Sequence, residues 1–383
     1  MNDRFIDCIF KADRSESELA NLVADITRAS RLSGDCDLVS EYELALASYF
    51  GVRHAIAVSS GTAALHASLA EVIQPGDEVL LPVIGVPMTA TAILQAGGVP
   101  VFYDCSPNSF VPNIASLKKY STSKTTALIT VPMWGYPGVD AETVEFANRE
   151  GMTLIEDTAQ ALGTKRLGRF EGTNGHLGCF STHEFKLMST GEGGFILTDR
   201  DDLHQKIRQF TRIGFSMNPM GFGHRSGLNY KLPALQASLG ISQLSVLDAK
   251  IASRKIKSAQ WRDELRIGAP DSRLVNFGAD RFEHNGYSLA IGIADAKPGQ
   301  ARELSKRLFE RGLNTDIHRY QQSYLVNFPM LHKYYNDPRY SGDCRLDFPN
   351  STAVIDSLLV LPLHDQITAD DICIGAERLR GIL

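Results

Sequence analysis

Two charged side chains could do chemistry, because each lies in a mostly apolar stretch. Lys186 has Phe185 and Leu187 as neighbours and precedes a Ser-Thr-Gly segment and an apolar strand. A lysine that is removed from water has a lowered pKa and can form an imine with an aldehyde. A solvated surface charge is the commoner role of a single lysine, so the segment by itself leaves both roles open.

Asp157 ends a predicted strand that begins at Thr153, and Gln160 follows three residues later. A carboxylate at the carboxyl end of a parallel strand points into the crevice where α/β proteins bind their ligands. The alternative is that Asp157 only caps the next turn. The strand alone does not decide between these two roles.

A third feature is the segment from Ser59 to Thr62, which reads Ser-Ser-Gly-Thr and connects a predicted strand to a predicted helix. Free N–H groups and the positive end of the helix dipole make such a junction a binding site for anions. An ordinary N-cap is the alternative, and the motif alone favours it.

Together these features match what pyridoxal 5'-phosphate (PLP) needs from a protein. The lysine would hold the aldehyde as an imine, and the aspartate would keep the pyridine nitrogen protonated. The helix N-terminus and Ser181 would bind the phosphate. The sequence has no Gly-x-Gly-x-x-Gly after a strand, no P-loop and no His-Glu-x-x-His, so it lacks these signatures of a dinucleotide, a nucleotide or a metal.

The elements that must position these residues alternate in the first half of the chain. Strands are predicted at residues 55–59, 78–81, 99–103, 127–131 and 153–156, with helices at 63–73, 89–95 and 141–149. This alternation indicates βαβ units and a largely parallel sheet. One long helical region at 235–265 could bridge two domains. We therefore predict an α/β fold with a large domain at residues 1–250 and a smaller α+β domain at 251–383.

The composition is that of an ordinary globular protein, with 383 residues of which 43% are hydrophobic and 22% are charged. The formal net charge of −5 argues against nucleic acid or an anionic membrane as a partner. The six cysteines are scattered without a Cys-x-x-Cys pair, which favours reduced thiols. No secretory signal and no apolar run of about 18 residues is visible, so we expect a cytoplasmic protein.

Seven segments in the correct order resemble the DegT/StrS-type sugar aminotransferases, which are fold-type I PLP-dependent enzymes. The similarity runs from about residue 39 to about residue 247, and more loosely to the C-terminus. The segments are Ser60-Gly61-Thr62-Ala63-Ala64, Gly76-Asp77-Glu78-Val79, residues 155–163, Gly168-Arg169, residues 180–186, Gly191-Glu192-Gly193-Gly194 and residues 229–237.

The resemblance implies a role for each matching residue. Lys186 would carry the cofactor and form the catalytic pair with Asp157, and Asn229 would reach the phosphate of the neighbouring subunit. The enzyme would then be a homodimer with shared active sites. The residues expected to bind the cofactor are Gly61, Thr62, Val86, Asp157, Gln160, Ser181, Lys186 and Asn229.

The chain departs from the family pattern at two places. Val86 occupies the position where the family usually places an aromatic residue over the cofactor ring, so aliphatic contact would replace ring stacking. The segment 318–322 lacks the family's usual substrate motif, although Arg319 within it is a candidate substrate contact. His183 and Trp134 are further candidates, each with a packed side chain as the alternative.

The implied reaction moves an amino group from L-glutamate or L-glutamine to a keto-sugar, with or without a nucleotide, or to a keto-cyclitol. The cofactor would cycle through pyridoxamine 5'-phosphate, in amino-sugar or secondary-metabolite biosynthesis. One alternative is a sugar dehydratase of the same fold, which carries His where the Lys belongs, so Lys186 argues against it. The other is a non-catalytic partner subunit, which the missing aromatic residue at Val86 slightly supports.

Overall fold

The computed structural model describes residues 4–8, 15–215, 226–278, 282–315 and 324–383. The strands are β1 (His54–Val58), β2 (Glu78–Pro82), β3 (Val99–Tyr103), β4 (Thr125–Thr130), β5 (Thr153–Asp157), β6 (Lys165–Arg166), β7 (Arg169–Phe170), β8 (Leu177–Ser181), β9 (Gly194–Thr198), β10 (Leu274–Asn276), β11 (Phe282–Glu283), β12 (Ser288–Ile293) and β13 (Leu358–Pro362). The α-helices of these residues are α1 (Glu16–Arg28), α2 (Asp37–Phe50), α3 (Gly61–Val72), α4 (Pro87–Gln95), α5 (Ile114–Tyr120), α6 (Ala141–Arg149), α7 (Asp201–Phe210), α8 (Ala234–Ser245), α9 (Leu247–Leu265), α10 (Gln300–Glu310), α11 (His332–Tyr335), α12 (Cys344–Asp347), α13 (Pro349–Ser357) and α14 (Ala369–Arg380).

A seven-stranded sheet forms the centre of the fold, in the order β1-β9-β8-β5-β4-β2-β3. Strands β8, β5, β4, β2 and β3 pair in parallel, whereas β9 runs antiparallel to both of its neighbours. Every residue of β2 and β9 is buried, as expected for strands that are covered on both faces. The predicted α/β fold with a mostly parallel central sheet is confirmed.

The parallel arrangement gathers the functional segments at one edge of the sheet. The strands β2, β4, β5 and β8 all end at this edge, and the crossover helices begin beside it. Helix α3 starts there because the Ser60 hydroxyl accepts a hydrogen bond from the Ala63 N–H at 3.0 Å. Ser60 is therefore an N-cap, as the motif favoured, and α3 still directs its N-terminus to this edge.

The C-terminal part contains a second, antiparallel sheet in the order β10-β12-β13. It shares a core of its own with α9, α10 and α14, in which the indole of Trp261 is fully buried. The predicted division between residues 250 and 251 falls inside α9 and stays a prediction. The expectation of one long helix at 235–265 is wrong, because the backbone leaves helical geometry at Val246 (φ −109°, ψ 3°) and separates α8 from α9.

The helices of the described residues are all too short or too polar to span a membrane. Within the same ranges, no group of three or more His, Cys, Asp or Glu side chains is placed to hold a metal ion.

Candidate active site

A cavity of about 230 Å³ opens at the carboxyl edge of the central sheet. It brings together most of the predicted cofactor residues, which the sequence spreads over more than a hundred positions. Its lining residues are Ser60, Gly61, Thr62, Leu65, Val86, Met88, Val131, Asp157, Ala159, Gln160, Ser181, His183, Phe185, Lys186 and Glu192.

Gly61 and Ser181 form one end of this cavity, where α3 begins against the end of β8. A Cβ atom at Gly61 would lie 2.7 Å from the Ser181 Cβ, closer than side-chain atoms approach each other. Only glycine therefore allows the helix N-terminus to lie beside the Ser181 hydroxyl. The first-turn N–H groups of a helix have no partner within the helix, so this corner offers donors to an anion.

Asp157 lies at the floor of the cavity and is only 3% exposed. Its Oδ2 accepts a hydrogen bond of 2.5 Å from the hydroxyl of Thr89, and its Oδ1 accepts a longer one of 3.4 Å from the Ala159 N–H. Burial raises the pKa of the Asp157 carboxyl, whereas the Thr89 hydroxyl and the positive charge of Lys186 act to lower it. A second positive charge beside Asp157 would therefore stabilise its carboxylate further.

Lys186 reaches the same cavity from the loop between β8 and β9. Two backbone hydrogen bonds close this loop, from Thr182 N to Gly193 O at 2.9 Å and from Thr190 N to Thr182 O at 2.8 Å. The hydroxyls of Thr182 and Thr190 also bond to each other at 2.7 Å, and both residues are buried. The loop thereby presents the half-buried Lys186 on a rigid base beside the strand ends.

Gln160 is fixed by the backbone of Trp134. Its Oε1 accepts a hydrogen bond of 2.7 Å from the Trp134 N–H, and Trp134 has a left-handed backbone (φ 53°). The indole of Trp134 packs on Phe110, with ring centroids 5.5 Å apart, and does not line the cavity. The structure therefore brings Gln160 into the site and leaves the Trp134 side chain in the core.

Of the other predicted residues, Val86 and His183 line the cavity and Asn229 does not. Val86 is 7% exposed and lines the wall, while His183 lies at the mouth with its Nε2 3.7 Å from the Glu192 Oε1. Asn229 is exposed and does not line the cavity within one chain. Arg319 lies outside the described residues.

Thr89 is the polar site residue that the sequence reasoning missed. It is fully buried and bonds directly to Asp157. One signal could have found it. Thr89 lies in the first turn of α4, three residues after the N-cap residue Val86, and so occupies nearly the same face of the helix. Met88 and Phe185, which also line the cavity, carry no comparable polar signal.

Comparisons with known proteins agree with this geometry. Residues 13–378 match the model of the DegT/DnrJ/EryC1/StrS aminotransferase family. GDP-perosamine synthase of Caulobacter vibrioides is 34% identical over 259 residues, which are 67% of this chain and 70% of that protein. The crystal structure of the aminotransferase TlmJ from Streptoalloteichus hindustanus has a TM-score of 0.84 at 24% identity and covers 98% of both chains. DesI, determined in the presence of its TDP-sugar product, has a TM-score of 0.84 at 26% identity, with 99% of this chain and 93% of that chain covered. The chain belongs to the DegT/DnrJ/EryC1/StrS aminotransferase family and is a PLP-dependent aminotransferase.

Proposed function

We propose that this enzyme transfers an amino group from L-glutamate or L-glutamine to a nucleotide-linked keto-sugar. The observation that carries the proposal is a single cavity that contains Lys186, the buried Asp157 and the close contact of Gly61 with Ser181. The similarity to a GDP-perosamine synthase and to DesI, which was determined with a TDP-sugar product, supports the acceptor class. A keto-cyclitol is the competing acceptor.

The lining residues fit PLP at both ends of the molecule. Gly61, Thr62 and Ser181 would bind the phosphate. Gly61 has no Cβ and so lets the helix N-terminus lie against Ser181, where its N–H groups can bind an anion. Asp157 would pair with the pyridine nitrogen, whose positive charge would offset the cost of burying the carboxylate. When bound, the cofactor supplies a reactive aldehyde and an electron-withdrawing ring.

The remaining site residues would hold the ring and move the proton. Val86 would pack on the ring face, and Gln160 would lie beside the ring with its side chain fixed by Trp134. Lys186 would first hold the cofactor. Once the amino donor has displaced it, the Lys186 Nζ would take the proton from the α-carbon of the donor and later return a proton.

A homodimer with shared active sites is part of the proposal. Asn229 is exposed in one chain, which supports its predicted contact with the phosphate in the neighbouring subunit. The backbone of Asn229 pairs with that of Arg212 in an antiparallel bridge. Asn229 does not line the cavity of its own chain. We further propose that the enzyme acts in the cytoplasm.

Replacing the lysine tests the catalytic role. Lys186→Ala should lower the rate of amino transfer at least about a hundredfold, because it removes the group that moves the proton. It should still bind PLP without a covalent bond. Lys206→Ala, at an exposed position of α7, is the matched control and should keep full activity. Unchanged turnover of Lys186→Ala would disprove the proposed role.

The acceptor is tested by following the amine in the product. GDP- and TDP-linked keto-sugars and a keto-cyclitol are offered to the enzyme in parallel, each with L-glutamate and with L-glutamine. Mass spectrometry then shows which acceptor gains the amino group. Amination of the cyclitol alone would contradict the proposed acceptor class.

A further inference from the structure

A segment that leads into the C-terminal sheet reaches Lys186 of the candidate active site. Tyr287 immediately precedes β12, about a hundred residues after Lys186 in sequence. The centre of its ring lies 5.5 Å from the Lys186 Nζ. An ammonium group at this distance from an aromatic face is attracted by the electron density of the ring.

Asn285 links Tyr287 to the segment that follows β5 of the central sheet. The Asn285 side chain is fully buried, and its Nδ2 donates hydrogen bonds of 3.0 Å to the carbonyl oxygens of Gln160 and Leu162. Its Oδ1 accepts a hydrogen bond of 2.9 Å from the Tyr287 N–H. One side chain therefore ties the backbone of the Gln160 segment to the backbone of Tyr287.

Two neighbouring residues fix the direction of this segment. The His284 Nε2 lies 3.1 Å from the carbonyl oxygen of Trp134, the residue whose N–H holds the Gln160 side chain. Gly286 has φ 75°, and a Cβ there would lie 2.4 Å from the Arg254 Cβ, so the turn before Tyr287 needs a glycine. The residues before Tyr287 thus form a tight turn that contacts the Trp134 backbone and packs against Arg254.

We propose that Tyr287 is a positioning residue for the Lys186 amine, with Asn285 holding the backbone of Tyr287 in place. The proposal rests on the proposed function, because it presupposes that Lys186 carries the cofactor. The Lys186 amine must be separated from the cofactor during part of each cycle, and it must then return to the same place. The face of Tyr287 gives the Lys186 ammonium a defined resting position, from which it would give up a proton to water before the amine reacts with the aldehyde.

The test measures how fast Lys186 captures PLP. Cofactor-free full-length protein is mixed with PLP, borohydride is added at timed intervals, and peptide mapping counts the pyridoxyl group on each lysine. The variants are Tyr287→Phe, which keeps the ring, and Tyr287→Leu, which removes it. The control is Tyr334→Leu, which removes another half-buried tyrosine whose ring contacts Lys333.

The capture rate at Lys186 should fall about three- to tenfold in Tyr287→Leu, because the Lys186 amine then no longer starts from one defined place. The value of kcat should fall by the same factor, with the KM for the amino donor unchanged. Tyr287→Phe and Tyr334→Leu should match the unaltered enzyme. If Tyr287→Leu does not fold, Tyr287→Met, which fills similar space without a ring, replaces it.

Equal capture rates for Tyr287→Leu and the unaltered enzyme would overturn the proposal. An equal loss in Tyr287→Phe would also overturn it, because the hydroxyl and not the ring would then matter. So would an equal loss in Tyr334→Leu, which would indicate general destabilisation. A pyridoxyl group on another lysine of the unaltered enzyme would instead refute the proposed role of Lys186, and this inference with it.

Discussion

The hydrogen bond from Thr89 to Asp157 gives the sharpest test of how the site is tuned. In its proposed role beside the ring nitrogen Asp157 must stay ionised, yet burial raises the pKa of its carboxyl. The Thr89 hydroxyl opposes that effect through a short bond of 2.5 Å within the core. Thr89→Val removes this donor and nearly preserves the shape of the side chain.

A hydrogen bond to a charged group contributes about 1.5–3 kcal/mol, and one pKa unit corresponds to about 1.4 kcal/mol. The Thr89→Val substitution should therefore raise the pKa of Asp157 further. Because the ionised form is the proposed active one, the acidic limb of the pH profile of kcat/KM should move up by about one to two pH units.

The assay measures kcat/KM from pH 5 to pH 9 for the unaltered enzyme, Thr89→Val and Thr89→Ser. Thr89→Ser keeps the hydroxyl and should leave the acidic limb within a few tenths of a pH unit. If the profile of Thr89→Val coincides with that of the unaltered enzyme, the hydroxyl does not tune Asp157. An equal shift in Thr89→Ser would attribute the effect to packing.

Two further predictions concern cofactor affinity and stability. Gly61→Ala should weaken PLP binding at least about tenfold in equilibrium titration, because its Cβ would lie 2.7 Å from the Ser181 Cβ; an unchanged dissociation constant would contradict the proposed phosphate corner. Burial lowers the pKa of His284 to about 4. The unfolded chain therefore binds more protons below about pH 6.5, and the protein should lose up to ~3 kcal/mol of stability between about pH 6.5 and 4. Denaturant unfolding across this range should show a smaller loss for His284→Gln, and identical slopes for both proteins would contradict the assignment.

The local chemistry of the central sheet made much of the fold predictable. The strands at β1 to β5 are short apolar runs between turn residues, and each lies within a few residues of its expected position. The parallel order follows from the helices between them. The short strands β6 and β7 carry only two residues each, too few for a pattern, and Leu167 and Gly168 between them both have positive φ.

The predictable part of the site is the part that lies at strand ends. Asp157, Ser181 and Gly61 lie where parallel strands stop, so topology brings them together. The contribution of Tyr287 could not be foreseen in this way, because it depends on how the second sheet packs against the first. The Trp134 side chain shows the same limit, since its left-handed backbone turns the indole towards Phe110 and away from the cavity.

The proposed role of Lys186 is tested most directly by the absorption spectrum of the purified enzyme with PLP, before and after addition of L-glutamate or L-glutamine. Borohydride trapping and peptide mapping are carried out on the same sample. We expect a visible band that the amino donor bleaches, and a trapped pyridoxyl group on Lys186. A protein that shows no band after PLP is added, or that carries the trapped group on a different lysine, would contradict the proposed role of Lys186.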